Sequence, residues 1–244
     1  MTGNQKVFTT MAVTAIMVVL LFSTPTTARA QTITNMTSGG TISLATVIDS
    51  NLEVQVGDKL FGNFSFSYID TDGISSDDLT RSNVTLSTLS NVIGFGLQFQ
   101  QPLLAIGPVI KDISLAYTAA VVQPSGNLIS DIHLAIPGSS SGNGGLGTVG
   151  ETALVGGFSG TNVGTLQAST PAATNDVLAI NIVPPQPELW VQKNVTVTGG
   201  NAANGFASIS EIDQTYSQVP EPSTVLLVSL GLLGMVAVNR KRKS

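Results

Sequence analysis

The 244-residue chain contains no cysteine and a single histidine, His133. Without cysteine there can be no disulfide, no thiolate metal centre, no thiol nucleophile and no acylation at a cysteine. One histidine alone leaves too few donors for a zinc enzyme site. Bases are also scarce in the middle of the chain. Within Gln31–Val219 they are Lys59, Arg81, Lys111 and Lys193, against fourteen acids, a net charge of about −10. Such a surface repels nucleic acid and anionic polymers. The same region has no run of ten or more residues with a 3.6-residue apolar period, so nothing in it builds a long helix. The G-x-S-x-G and G-x-x-x-x-G-K-[ST] patterns are missing too, which removes the sequence signals of an α/β-hydrolase nucleophile and of a phosphate-cradling loop.

The two ends are different in character. Lys6 is the only charge ahead of the apolar run Met11–Phe22, and Ala28-Arg29-Ala30 follows it. A positive start, a short apolar stretch and an A-x-A site form a secretory signal peptide. Residues 1–30 are therefore expected to direct export, with signal peptidase cutting between Ala30 and Gln31. At the other end, Val219-Pro220-Glu221-Pro222-Ser223 precedes an uncharged apolar run, Thr224–Val238, and then Arg240-Lys241-Arg242-Lys243. The apolar run has no polar face, which suits lipid. As a helix it would be roughly 23 Å long, enough to cross a membrane once the flanking residues and snorkelling bases are added. The basic cluster is expected to stay cytoplasmic. Pro220 and Pro222 prevent the helix from continuing upstream.

These three features in fixed order resemble the PEP-CTERM sorting signal of exported bacterial proteins. The resemblance is strong over the last ~25 residues and weaker over Leu189–Val195, Ala207–Ser210 and Gln214–Tyr216. It implies that an exosortase-like membrane enzyme reads residues 219–244, processes the chain near Pro-Glu-Pro, and that the tail holds a membrane-anchored intermediate beforehand. The expected destination is the cell surface or the extracellular matrix.

Between the signals, residues 31–218 alternate apolar and polar side chains in short runs rich in Val, Ile, Thr and Phe, broken by Gly, Asn, Ser and Pro. Period-2 runs of this kind predict strands. Strands are expected over Thr41–Ile48, Leu52–Val56, Lys59–Ile69, Val84–Leu89, Ile93–Gln100, Ile113–Val122, Leu128–Ile136, Thr152–Gly157, Val177–Ile182, Leu189–Val197 and Phe206–Ile212. Phe64, Phe66 and Tyr68 should share one face. So should Phe95, Leu97 and Phe99, and so should Ile113, Leu115, Tyr117, Ala119 and Val121. Pro137–Gly150 reads as a flexible Gly/Ser-rich loop, and Pro184-Pro185-Gln186-Pro187 as an extended connector between strands. The fold expected is mainly β: an antiparallel β-sandwich, the jelly roll among its forms. It would be flanked by the N-terminal signal helix and the C-terminal transmembrane helix.

Few residues in this domain point to chemistry. Asp70, Asp72, Asp77 and Asp78 crowd one turn, and carboxylates so close repel unless a cation joins them, so Ca²⁺ is the one cofactor candidate. Their spacing is not that of an EF-hand, and a solvated acidic turn is the plainer reading. Asp131 stands two residues from His133, without a marked nucleophile. Asn35, Asn63, Asn83 and Asn194 begin N-x-[ST] triplets. Trp190 is either a core anchor or a platform for a sugar ring. The expectation is an exported structural or adhesive protein without catalysis, in contact with the membrane and with exopolysaccharide, and without nucleic acid. The alternative is a carbohydrate- or calcium-binding surface module.

Overall fold

In the computed structural model the residues described are 32–71, 80–91, 94–124, 126–137, 139–170 and 178–220. They form two sheets around one continuous apolar core. In spatial order the first sheet holds β1 (Ile33–Asn35), β3 (Glu53–Val56), β4 (Lys59–Asp70), β7 (Ile110–Val121), β13 (Glu188–Thr198), β10 (Leu146–Val155) and β11 (Thr161–Ser169). The second runs β12 (Leu178–Gln186), β8 (Asn127–Ala135), β14 (Phe206–Pro220), β6 (Phe95–Ile106), β5 (Thr85–Ser90) and β2 (Thr41–Ser43), with β9 (Ser139–Gly142) also paired to β14. Every pairing is antiparallel except β1 with β3.

The alternation in the sequence maps onto the two faces of these sheets. On β7 Ile113, Leu115, Tyr117, Ala119 and Val121 are all buried. On β4 Phe64 is buried, Phe66 and Tyr68 pack against the core, and Ser65 and Ser67 face solvent. Leu97 and Phe99 of β6 close the core from the other sheet. Its centre is aromatic: Phe61, Phe64 and Phe99 surround Tyr117, with ring centroids 6.3, 5.5 and 5.5 Å away.

Three expectations need correction. Thr41–Ile48 is not one strand. The chain leaves β2 at Ser43, whose hydroxyl accepts a hydrogen bond from the Thr46 amide and caps α1 (Leu44–Asp49). Leu44 and Val47 then point inward together, a spacing of three that fits a helix and not a strand. Pro137–Gly150 is not a flexible loop. Ser139–Gly142 pairs with β14, and Leu146 begins β10. The turn between them uses Asn143 and Gly144 at positive φ. Glycine there serves close packing: a Cβ on Gly145 would lie 1.9 Å from the carbonyl oxygen of Phe206. Pro184 and Pro185 lie inside β12, not between strands. β12 is an edge strand, and its pairing with β8 is irregular between Asn181 and Gln186, where prolines without an N–H are tolerated.

Candidate functional site

The last strand joins the fold to the C-terminal signal. β14 is an interior strand of its sheet. Along one side it pairs with β6, and along the other β9 and β8, successive in the chain, take its N-terminal and C-terminal parts. It runs two residues past the boundary expected at 218, with Val219 opposite Leu128 and Pro220 opposite Asn127. The motif thus begins on a hydrogen-bonded strand, with no spacer between the folded sheet and Glu221.

The outward face of the first sheet carries a shallow groove of about 590 Å³. Ser65, Ser67, Thr152, Thr165, Gln192 and Asn194 are among its lining residues. They come from β4, β10, β11 and β13, so the groove crosses the strands. Hydroxyls and carboxamides over a sheet face can exchange hydrogen bonds with a polar ligand. Trp190 stands on this same outward side of β13, half-buried, two residues along from Gln192. It is not a core anchor; the core-facing residues of β13 beside it are Leu189 and Val191.

The most unusual cluster lies inside, between the sheets. Lys193, Glu151 and Gln214 are 3%, 2% and 0% exposed. Lys193 and Glu151 are direct cross-strand partners on β13 and β10 of the first sheet. Gln214 reaches them from β14 of the second. The Lys193 ammonium donates to a Glu151 oxygen and to the Gln214 side-chain carbonyl, and Gln214 Nε2 donates to the other Glu151 oxygen at 3.1 Å. Desolvation lowers the Lys193 pKa against the opposing pull of the Glu151 charge. A second polar bridge, Tyr117 Oη to Tyr216 Oη at 2.8 Å, also joins the two sheets. Burial raises both phenol pKa values well above their ordinary value.

None of this cluster was singled out from the sequence. A signal was present, because Lys193 interrupts the apolar series Leu189, Val191, Val195, Val197 and Glu151 interrupts Val149, Ala153. A charge at a core position of an alternating strand marks a buried polar site.

The residues that were singled out are placed as follows. Asp70 accepts from the Tyr68 hydroxyl at 2.6 Å and pairs with Lys111 at 3.3 Å. Asp72, Asp77 and Asp78 lie outside the described residues, and among the described residues no group of three or more metal-ligating side chains occurs. His133 meets Asp131 at 2.7 Å and Ser217 Oγ at 3.3 Å. Both contacts are made by the same nitrogen, Nε2. A Ser-His-Asp triad places the serine on one ring nitrogen and the aspartate on the other, and these contacts do not have that arrangement. Asn63 and Asn194 of the N-x-[ST] triplets spend their amide groups on Thr118 and Asp112. Ala28, Ala30 and Gln31 lie outside the described residues, as do Glu221, Pro222, Ser223, the apolar run 224–238 and Arg240–Lys243. Among the described residues no helix is long and apolar enough to cross a membrane.

Comparison with known proteins bears mainly on the C-terminus. Residues 218–243 match the PEP-CTERM protein-sorting motif. The chain carries that signal, which marks exported proteins for exosortase processing. No curated protein matches the chain. Among solved structures, the enzymatically active domain of tailspike protein 4 of bacteriophage CBA120 aligns at 14% identity and a TM-score of 0.28. That alignment spans 64% of this chain and 19% of the tailspike chain.

Proposed function

We propose that residues 31–220 form the exported unit of a surface or extracellular-matrix protein: a β-sandwich that acts by display and adhesion and catalyses nothing. Signal peptidase would free Gln31. The C-terminal helix would hold an intermediate in the membrane until an exosortase-like enzyme acts at Val219–Ser223. The carrying observation is the sorting signal at 218–243, which starts on β14 without a linker. The acidic charge of the unit suits a solvated outer surface. The intact mass of the native protein, taken from cells and from medium, tests this. A species running from Gln31 to a residue within 219–223, with or without an attached group, is expected. A species retaining Arg240–Ser244 and found only in membranes would refute it.

A second reading is favoured by the outer groove, which suits a carbohydrate. Its volume falls in the range of about 300–1,000 Å³ usual for ligand sites, and Trp190 supplies a ring face beside Gln192. A glycan array would show selective binding that Trp190→Ala and Gln192→Ala each weaken at least tenfold. A protein with a purely structural role would bind nothing selectively. Calcium at Asp70, Asp72, Asp77 and Asp78 is tested by titration calorimetry and by the melting temperature with and without Ca²⁺.

A further inference from the structure

We propose that Lys193 and Gln214 become joined by an isopeptide bond that the folded protein forms itself, with Glu151 as the proton relay. The three groups needed for acyl transfer from a carboxamide to an amine are already in contact. The nucleophile, Lys193 Nζ, touches the carboxamide of Gln214 through its oxygen. Glu151 holds the attacking nitrogen on one carboxylate oxygen and the leaving nitrogen, Gln214 Nε2, on the other. A single carboxyl group can therefore take a proton from the first and give one to the second.

The surroundings favour the chemistry. A lysine is nucleophilic only when neutral, and desolvation at this site shifts it that way. Water, the competing nucleophile, is kept out by burial on all three side chains. The same burial keeps an external cross-linking enzyme away, so the reaction belongs to the folded chain. The Lys193 ammonium first passes one proton to the Glu151 carboxylate. The freed lone pair adds to Cδ of Gln214, and Glu151 gives that proton to Nε2 and takes the second one that Nζ loses. As the tetrahedral carbon collapses, the Cδ–Nε2 bond breaks, ammonia leaves, and Glu151 is left protonated. One amide replaces another, nothing is oxidised or reduced, and no cofactor is required. The product replaces a desolvated ammonium by a neutral amide and ties β13 of one sheet to β14 of the other. In a chain without cysteine it supplies the covalent staple that a disulfide would otherwise give.

A second lysine has only part of this arrangement. Lys59 Nζ also contacts a carboxylate, Asp58 Oδ1 at 2.7 Å, and a carboxamide, Gln218 Oε1 at 2.6 Å. Gln218, however, is exposed, and its nitrogen makes no hydrogen bond to Asp58 among the contacts of this cluster. That site should stay an ordinary ion pair and serves as an internal control.

The test is a tryptic map of the native exported protein after full denaturation. Trypsin cannot cut after an acylated lysine. The expected map shows no cleavage at Lys193, one product running from Asp112 to the mature C-terminus, and a deficit of about 17 Da on that product, the mass of one ammonia. Cleavage after Lys59 proceeds normally. Cyclisation of an N-terminal Gln31 also loses ammonia, so the deficit is read on the peptide and not on the whole chain. Release of residues 112–193 at full mass and full yield overturns the proposal. In Glu151→Gln the bond is absent and Lys193 is cut; a bond that forms without the carboxylate overturns the relay. If Glu151→Gln yields no folded protein, Gln214→Leu replaces it: a deficit that survives removal of the carboxamide overturns the assignment of Gln214.

Discussion

The Tyr117–Tyr216 bridge gives a sharp test of how the core is held. Both side chains are fully buried, and each hydroxyl has the other at 2.8 Å. Replacing one tyrosine by phenylalanine keeps its ring, so the contacts of Tyr117 with Phe61, Phe64 and Phe99, and of Tyr216 with Phe61 at 5.7 Å, survive. What is lost is a partner. The remaining hydroxyl stays buried in an apolar setting at a cost of about 1–3 kcal/mol. For a domain of this size, 2 kcal/mol corresponds to a fall in Tm of roughly 4–8 °C. Replacing both removes donor and acceptor together and leaves only apolar surface. The double variant should therefore return to within about 1 kcal/mol of the parent. Thermal and urea unfolding of the parent, Tyr117→Phe, Tyr216→Phe and the double variant closes the cycle. The reasoning fails if the double variant loses the sum of the two single losses, since the hydroxyls would then be satisfied independently of one another.

The remaining predictions concern strand packing, ionisation and capping. Gly96→Ala should destabilise by about 3 kcal/mol or prevent folding, because its Cβ would sit 1.7 Å from the Gln214 carbonyl oxygen within a paired strand. Gly150→Ala, where the nearest atom is 3.9 Å away, should change stability by no more than about 1 kcal/mol and in the stabilising direction; unfolding curves of the two variants compare them directly. The Glu211 pKa is raised, by partial burial first and by the neighbouring Asp213 charge next. Its favourable contribution is thus complete below the unfolded carboxylate pKa and is lost as pH rises through the folded value. Glu211→Gln should therefore be more stable than the parent at neutral pH, with the gain shrinking to nothing in acid, as followed by Tm against pH. Ser43→Ala removes the α1 cap and should cost about 1 kcal/mol, read from the urea midpoint.

Sequence alone carried the strand pattern wherever parity held from end to end. β7 keeps its inward residues at odd positions throughout, and so it was legible. β14 was harder. Ala207 and Ile209 point inward, then pairing with β6 shifts at Ser210, and the inward set becomes Ile212, Gln214 and Tyr216. The irregularity reverses which face a given parity reads, so Gln214 did not register as a core residue. β11 escaped for a related reason: opposite the Ala153/Leu154 step, Val163 is skipped in the pairing. Ser139–Gly142 was hidden by composition, because small polar residues suit both a loop and a strand squeezed against β14. The sorting signal needed no fold to be read. Its three parts are contiguous, whereas Glu151, Lys193 and Gln214 are brought together only by the stacking of two sheets.

β14 carries both the start of the sorting signal and one member of the buried cluster. In the anchored intermediate proposed above, a load on the C-terminal segment would enter the fold at Pro220 and run backwards along β14. Hydrogen bonds to β8 and β6 resist it pair by pair, and such pairs can peel in succession from the loaded end. A covalent bond at Gln214 would confine peeling to 215–220 and pass the load to Lys193. Lys193 lies on β13, which β7 and β10 hold on both sides along its length. In that intermediate the proposed cross-link would sit where a tethered domain without disulfides has most use for one: just inside the strand that leads to the tether, and on an interior strand of the opposite sheet.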